Sequence, residues 1–300
     1  MKKLSAVLVS ASLAVCGMTA LSSSAANSGY SPKLYIEADE GDNFDMLPSG
    51  KIYINTSKVQ ESEIPLSGRV YIDDERNNAG IVFVKWQSKN SKIKLTEFVN
   101  PFDIAGAAPY AEYDDADKIA WSHNKEENFI GVSYICSSKN EDDIMETLTF
   151  KGQTSKDYPL GGFKASVDTS IPAGEYTIDF MNEGSQRCNI LYRFDDNKIE
   201  EAFPEGYNAK GLKIGVSDRL LGDVDGTGKH EAYDASLTLT AYANLSANKD
   251  TGLTDAQLVA ADVDGDGIIT AYDAAMILSY YAYLSGNGEL NIIDFQKQLG

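Results

Sequence analysis

Basic residues, histidine, tryptophan and cysteine are all scarce in this chain, and each scarcity removes a class of function. Lysine and arginine number 26 against 45 aspartates and glutamates, a formal charge of −19. A surface of that sign repels phosphate backbones and anionic headgroups, which argues against nucleic acid and membrane surfaces as partners. There are two histidines, and only His123 precedes residue 217. No serine or cysteine near it forms a nucleophile motif, so Ser-His and Cys-His hydrolysis have little to build on. The two tryptophans, Trp86 and Trp121, are too few for the aromatic-lined cleft of a jelly-roll glycanase. Two-carboxylate glycosidase chemistry needs only a pair of acids across a cleft and stays open on counting alone. Of three cysteines, only Cys136 and Cys188 lie beyond the first 26 residues, so the chain is not a disulfide scaffold. Those two either bridge each other or remain buried thiols.

Long apolar runs are also missing. Residues 4–21, behind Lys2 and Lys3, are too few for a membrane helix and give way to Ser24, Ala25 and Ala26. The pattern predicts an export signal over residues 1–26 and a secreted, extracellular protein. A lipoprotein reading through Leu13-Ala14-Val15-Cys16 ranks second, because Val15 is bulky where a small residue is wanted. Losing Lys2 and Lys3 leaves 24 basic against 45 acidic residues, a charge of −21.

What the chain does contain is a duplication. GDVDGTGKHEAYDASLTLTAYANLSA, residues 222–247, realigns on ADVDGDGIITAYDAAMILSYYAYLSG, residues 261–286, at an offset of 39, with fourteen of twenty-six pairs identical. Each copy spaces oxygen donors as a twelve-residue calcium loop does, at positions one, three, five, seven, nine and twelve. The first set is Asp223, Asp225, Thr227, the carbonyl of Lys229, Glu231 and Asp234. The second is Asp262, Asp264, Asp266, the carbonyl of Ile268, Thr270 and Asp273. Gly228 and Gly267 stand at position six, where the chain turns sharply. Such crowded carboxylates repel one another unless a cation sits among them, so two Ca2+ ions are expected as part of the fold. Each loop leads into a helix with an apolar face: Leu237, Leu239 and Leu245 in one copy, Met276, Ile277, Leu278 and Leu284 in the other. Neither loop has a long entering helix, although residues 254–260 suit a short one. The unit is half an EF-hand, twice.

On these residues, residues 217–300 resemble a type I-like dockerin, the calcium-dependent plug of cellulosome systems. The resemblance implies a small all-α module that docks onto a scaffoldin cohesin through its helices and loop positions ten and eleven. Here these are Ala232-Tyr233 and Ala271-Tyr272, with Leu237 and Met276 on the helices as further partner-binding candidates. Because the two pairs are identical, two docking orientations are expected.

Residues 31–216 read as β-sheet, with short alternating runs at 34–36, 51–54, 69–72, 80–86, 92–95, 129–135, 146–150, 163–167, 175–180, 189–192 and 212–216 between Gly, Asn, Asp and Ser clusters. That spacing predicts an all-β sandwich or jelly roll, making the protein multidomain. The acids at 112–117 and 141–143 read as solvated loops. Pro65 to Ile72 (PLSGRVYI), residues 80–95, Ala173 to Ile178 (AGEYTI) and residues 211–216 resemble strands of a divergent cohesin, the socket that receives dockerins. The combination implies a non-catalytic adaptor of a cellulosome-type, cell-surface complex: the dockerin binds a scaffoldin cohesin and the sandwich receives dockerin-bearing proteins. The alternatives are a dockerin-bearing subunit that binds plant polysaccharide through Trp86, Trp121 and tyrosines, or a small glycan-active enzyme.

Overall fold

The computed structural model describes residues 33–73, 79–104, 119–135, 159–181, 190–195, 198–201 and 208–299. The export signal, Cys136, Cys188, the run at 146–150 and both acidic runs lie outside these residues. The first half is an all-β sandwich. One sheet has the order β13(Asn208–Lys210), β1(Lys33–Ala38), β4(Glu63–Asp73), β9(Gly161–Asp168), β6(Ile93–Val99). The second runs β12(Lys198–Glu201), β11(Ile190–Asp195), β5(Ala79–Gln87), β10(Gly174–Phe180), β14(Leu212–Ser217), β3(Ile52–Asn55), β2(Asp45–Met46). The pair β8(Phe129–Ile135) and β7(Ile119–Asn124) extends it from the other edge of β5. Among the described residues, pairing is antiparallel except for β1 with β13 and β14 with β3.

Alternation makes the core. In β4, Ile64, Leu66, Val70 and Ile72 face inward, and β9 answers with Phe163, Ala165 and Val167. From the opposite sheet come Val84 and Trp86, with the Trp86 ring 6.3 Å from Phe163 and 6.4 Å from Phe98. A bulge between Leu95 and Glu97 shifts the phase of β6, so that Ile93, Leu95 and Phe98 all point inward despite unequal spacing. Strand β4 is longer than the run predicted at 69–72, because it continues through Pro65. Proline is tolerated there because β1 pairs only with Gly68 to Asp73, leaving Pro65 on a stretch bonded on one side by β9. Strand β7 was not predicted; its Ile-Ala-Trp-Ser-His-Asn sequence has too little apolar alternation to mark it.

The chain leaves β14 at Ser217 and enters the duplicated unit directly, with no helix before Asp223. Four helices follow: α1(Ala232–Ser246), α2(Asp255–Ala261), α3(Ala271–Ser285) and α4(Ile292–Leu299). They enclose a second core of Val224, Ala241, Val259, Ile277, Tyr280 and Phe295, among others. Leu47 and Tyr53 from the sandwich are buried in that same core. No helix among the described residues is long and apolar enough to cross a membrane.

Candidate functional site

Each loop is shaped by its own backbone before any ion is considered. The position-six glycines adopt φ of +81° (Gly228) and +90° (Gly267), a left-handed conformation that side chains resist. The last aspartate of each loop is also the third residue of its helix. Asp234 Oδ2 accepts the Glu231 N–H at 2.8 Å, and Asp273 Oδ2 accepts the Thr270 N–H at 2.9 Å. Their other oxygens reach back across the loop, to the Asp225 N–H at 3.0 Å and the Val263 N–H at 3.0 Å. One carboxylate thus caps a helix, where its charge suits the helix dipole, and ties the loop shut.

The result is two clusters: Asp223, Asp225 and Asp234 in the first, Asp262, Asp264 and Asp273 in the second, with carboxylate oxygens in each within 4.8 Å of one another. The other predicted carboxylate donors, Glu231 and Asp266, lie outside these clusters. Thr227 and Glu231 are exposed, as are Lys229 and Ile268, and Asp266 turns its carboxylate to the Ile268 N–H at 2.7 Å. Thr270 donates its hydroxyl to Asp273 Oδ2 at 3.0 Å. Burial pushes the Asp273 carboxyl up to about 6, with the charges of Asp264 and Asp262 adding to it. Burial likewise raises Asp223 and Asp264, and in each case another aspartate adds to the rise.

Do these residues fit a calcium ion? Asp262 is 2% exposed, and its Oδ1 has no hydrogen-bond partner while Oδ2 is fully engaged. A buried carboxylate oxygen without a donor is costly, and a hard cation is the partner that an all-oxygen cluster would accept. The donor set fits. Calcium would supply the positive charge that lets the three carboxylates of each loop stay ionised side by side.

The predicted docking residues divide. Ala232 and Ala271 are exposed, and Tyr233 and Tyr272 are exposed by 59% and 54%. Leu237 is half-buried against the helical core. Met276 is a correction: only 6% exposed, it packs inside the core and is unavailable to a partner, because α3 turns it toward the interior beside Ile277. Beyond the predicted docking residues, Tyr242 with Tyr281 and Leu239 with Leu278 are also exposed, the leucines by 50% and 49% although they belong to the helices' apolar faces. Their common offset of 39, shared with the Tyr233 and Tyr272 pair, is the signal that marks them.

A set of residues from the sandwich also reaches the helical unit, most of all its second loop. Lys51 Nζ donates to Asp262 Oδ2 at 2.7 Å and to Glu175 Oε1 at 2.5 Å. Ser49 Oγ donates to the Gly265 carbonyl at 2.9 Å, and Lys213 Nζ to the Asp266 carbonyl at 2.6 Å. Ser217 Oγ donates to Ala256 O at 2.9 Å, and Tyr53 donates its hydroxyl to Arg219 O at 2.9 Å. Burial alone would draw the Lys51 ammonium down; Asp262 and Glu175 outweigh it, and the net shift is upward.

Residues 221–280 match the family model of the dockerin type I domain, and the duplicated loop–helix unit is a dockerin of that type. No curated protein matches the chain. Among solved structures, the third cohesin ScaC in complex with the ScaB dockerin from Acetivibrio cellulolyticus overlaps 62% of this chain and 98% of its own, at 11% identity and a TM-score of 0.38. CaCohA2 from Clostridium acetobutylicum overlaps 62% of this chain and 90% of its own, at 12% identity and a TM-score of 0.34. The cohesin module of a Clostridium perfringens family 33 glycoside hydrolase covers 61% and 98%, at 7% identity and a TM-score of 0.29.

Proposed function

We propose that this protein is a secreted, non-catalytic adaptor, with an export signal at 1–26, a receiving sandwich at 31–216 and a dockerin at 217–300. The observation that carries the reading is the duplicated site. Two loops each gather three aspartates within 4.8 Å, and each opens a 15-residue helix whose exposed start is Ala-Tyr. Two Ca2+ ions hold these loops, and the tyrosines and leucines repeated at the 39-residue offset form the surface offered to a scaffoldin cohesin. Solvent-exposed aromatic anchors of this kind supply most of the affinity in protein interfaces. In the sandwich, the strands that resemble a cohesin, β4, β5, β10 and β14, sit in the two sheets that enclose one core. Its role is to present a sheet face to dockerin-bearing proteins. The test is calorimetric titration of the full chain with a scaffoldin cohesin and, separately, with a panel of dockerins, each with calcium and with excess chelator. Docking that ignores the chelator would overturn the dockerin half; silence toward every dockerin would overturn the sandwich half.

One observation favours a second reading of the sandwich. Trp121 on β7 is 44% exposed and stacks on Phe98 at 5.3 Å, the kind of fixed aromatic face on which a sugar ring packs. Retention on cellulose or xylan, lost in Trp121→Ala, would establish a carbohydrate-binding subunit instead. Release of soluble sugar abolished by one Asp or Glu change would establish an enzyme.

A further inference from the structure

The two calcium loops are near copies in sequence, yet their first aspartates are held differently. Asp223 is saturated from within its own loop: Oδ1 accepts from Gly226 N at 3.0 Å and Thr227 N at 3.1 Å, and Oδ2 from Gly228 N at 2.8 Å. Asp262 keeps only one such bond, from Gly267 N to Oδ2 at 3.1 Å, and takes its second donor from Lys51, 211 residues away on β3's approach. The Lys51 side chain is 0% exposed and that of Asp262 3% exposed, so water offers neither a substitute partner. With Oδ2 engaged by two donors, Oδ1 is left buried without a hydrogen-bond partner, in a residue that clusters with Asp264 and Asp273.

We propose that Lys51 is a positioning residue of the second calcium site, supplied by the sandwich domain, so that filling that site and seating the dockerin on its own sandwich are one linked equilibrium. This rests on the calcium reading given above. The ammonium touches no ion; it acts through Asp262, orienting one oxygen by engaging the other, as outer-shell partners do at other metal sites. Glu175, 46% exposed on its side chain, balances the lysine from the solvent side. Ser49 and Lys213 bind loop carbonyls of the same copy, so the whole second loop is read by the sandwich. The consequence is geometric: a cohesin held by the dockerin and a protein held by the sandwich would be kept at one fixed separation while calcium is bound.

The position-six glycine amides report each site separately, because each donates to the first aspartate of its loop. The experiment is a calcium titration of the full chain and of Lys51→Met, followed by amide NMR at Gly228 and Gly267. Methionine keeps the apolar stem and removes the donor. The expected result is a Gly267 midpoint moved to calcium about 10-fold higher, in the range for lost outer-shell partners, with the Gly228 midpoint unmoved. An unmoved Gly267, an equal shift at both glycines, or a shift to lower calcium would overturn the proposal. Should the variant not fold, the wild type decides. The Lys51 backbone amide must follow the Gly267 midpoint and not the Gly228 one, and its failure to respond sinks the inference. If neither glycine responds to calcium in the wild type, the calcium reading itself has failed, a different outcome from a calcium-responsive chain indifferent to Lys51.

Discussion

The two halves of the dockerin share fourteen of twenty-six aligned residues and the same helix lengths, yet among the described residues the sandwich's hydrogen bonds to a loop go to the second copy. The first loop satisfies its leading aspartate with its own backbone; the second borrows an ammonium from the sandwich and leaves one carboxylate oxygen without a donor. Duplication therefore produced two sites of one pattern and two surroundings. The lesson is that a repeated motif fixes which carboxylates gather, while neighbours outside the repeat decide how each is held.

The largest effect that can be imposed on this comparison is removal of calcium from both copies. Excess chelator should abolish cohesin docking and much of the helical signal in circular dichroism, while the sandwich, with its separate core, keeps its β signal. Next in size is the asymmetry between the leading aspartates. Asp262→Ala removes a metal ligand and also leaves the buried Lys51 paired with Glu175 alone, a loss of about 3 kcal/mol or more by the usual cost of breaking a buried ion pair. Asp223→Ala removes a ligand but strands no side-chain cation, so thermal melts in calcium should rank Asp262→Ala well below it.

Docking should show the opposite, a symmetry between copies. Changing Ala232-Tyr233 alone leaves Ala271-Tyr272 to take over, and only the double change should abolish cohesin binding by calorimetry. Complete loss from either single change would mean one fixed orientation, and the seat on the sandwich would be the first place to look for its cause.

Acidity gives a smaller, signed effect on the metal-free protein. The Asp273 carboxyl is raised to about 6 in the folded chain, with Asp223 and Asp264 also raised, so the fold binds more protons than the unfolded chain between the ordinary carboxylate range and pH 6. The helical unit without metal should therefore be most stable at about pH 4 and lose stability as pH rises toward 6. Calcium needs the ionised carboxylates, so its affinity should weaken as pH falls through 6. Melting curves with and without chelator at the two pH values check both signs. The smallest effect is expected from Thr227→Ala: an exposed hydroxyl leaves, no charge is lost, and the calcium midpoint at Gly228 should shift less than in any aspartate variant.

The strands were largely legible because alternation is a local property: the runs at 34–36, 129–135, 163–167 and 175–180 all fall on strands of the sandwich. Strand β7 escaped because its pairing with β8, more than its own residues, makes it a strand. The dockerin was more legible still. Its turns and caps lie within twelve residues of one another, so local spacing already brings Asp223, Asp225 and Asp234 together, and likewise Asp262, Asp264 and Asp273, while the equally spaced Glu231 and Asp266 stay outside the clusters. Met276 was misjudged because helical periodicity says which residues share a face without saying which face is covered, and only the packing of α1, α3 and α4 settles that. The bond from Lys51 to Asp262 spans 211 residues and joins two units whose sequences carry no mark of each other. A lysine among strand residues reads as a solvated surface charge until the fold closes water out around it, and that burial, which makes the pair matter, exists only in three dimensions.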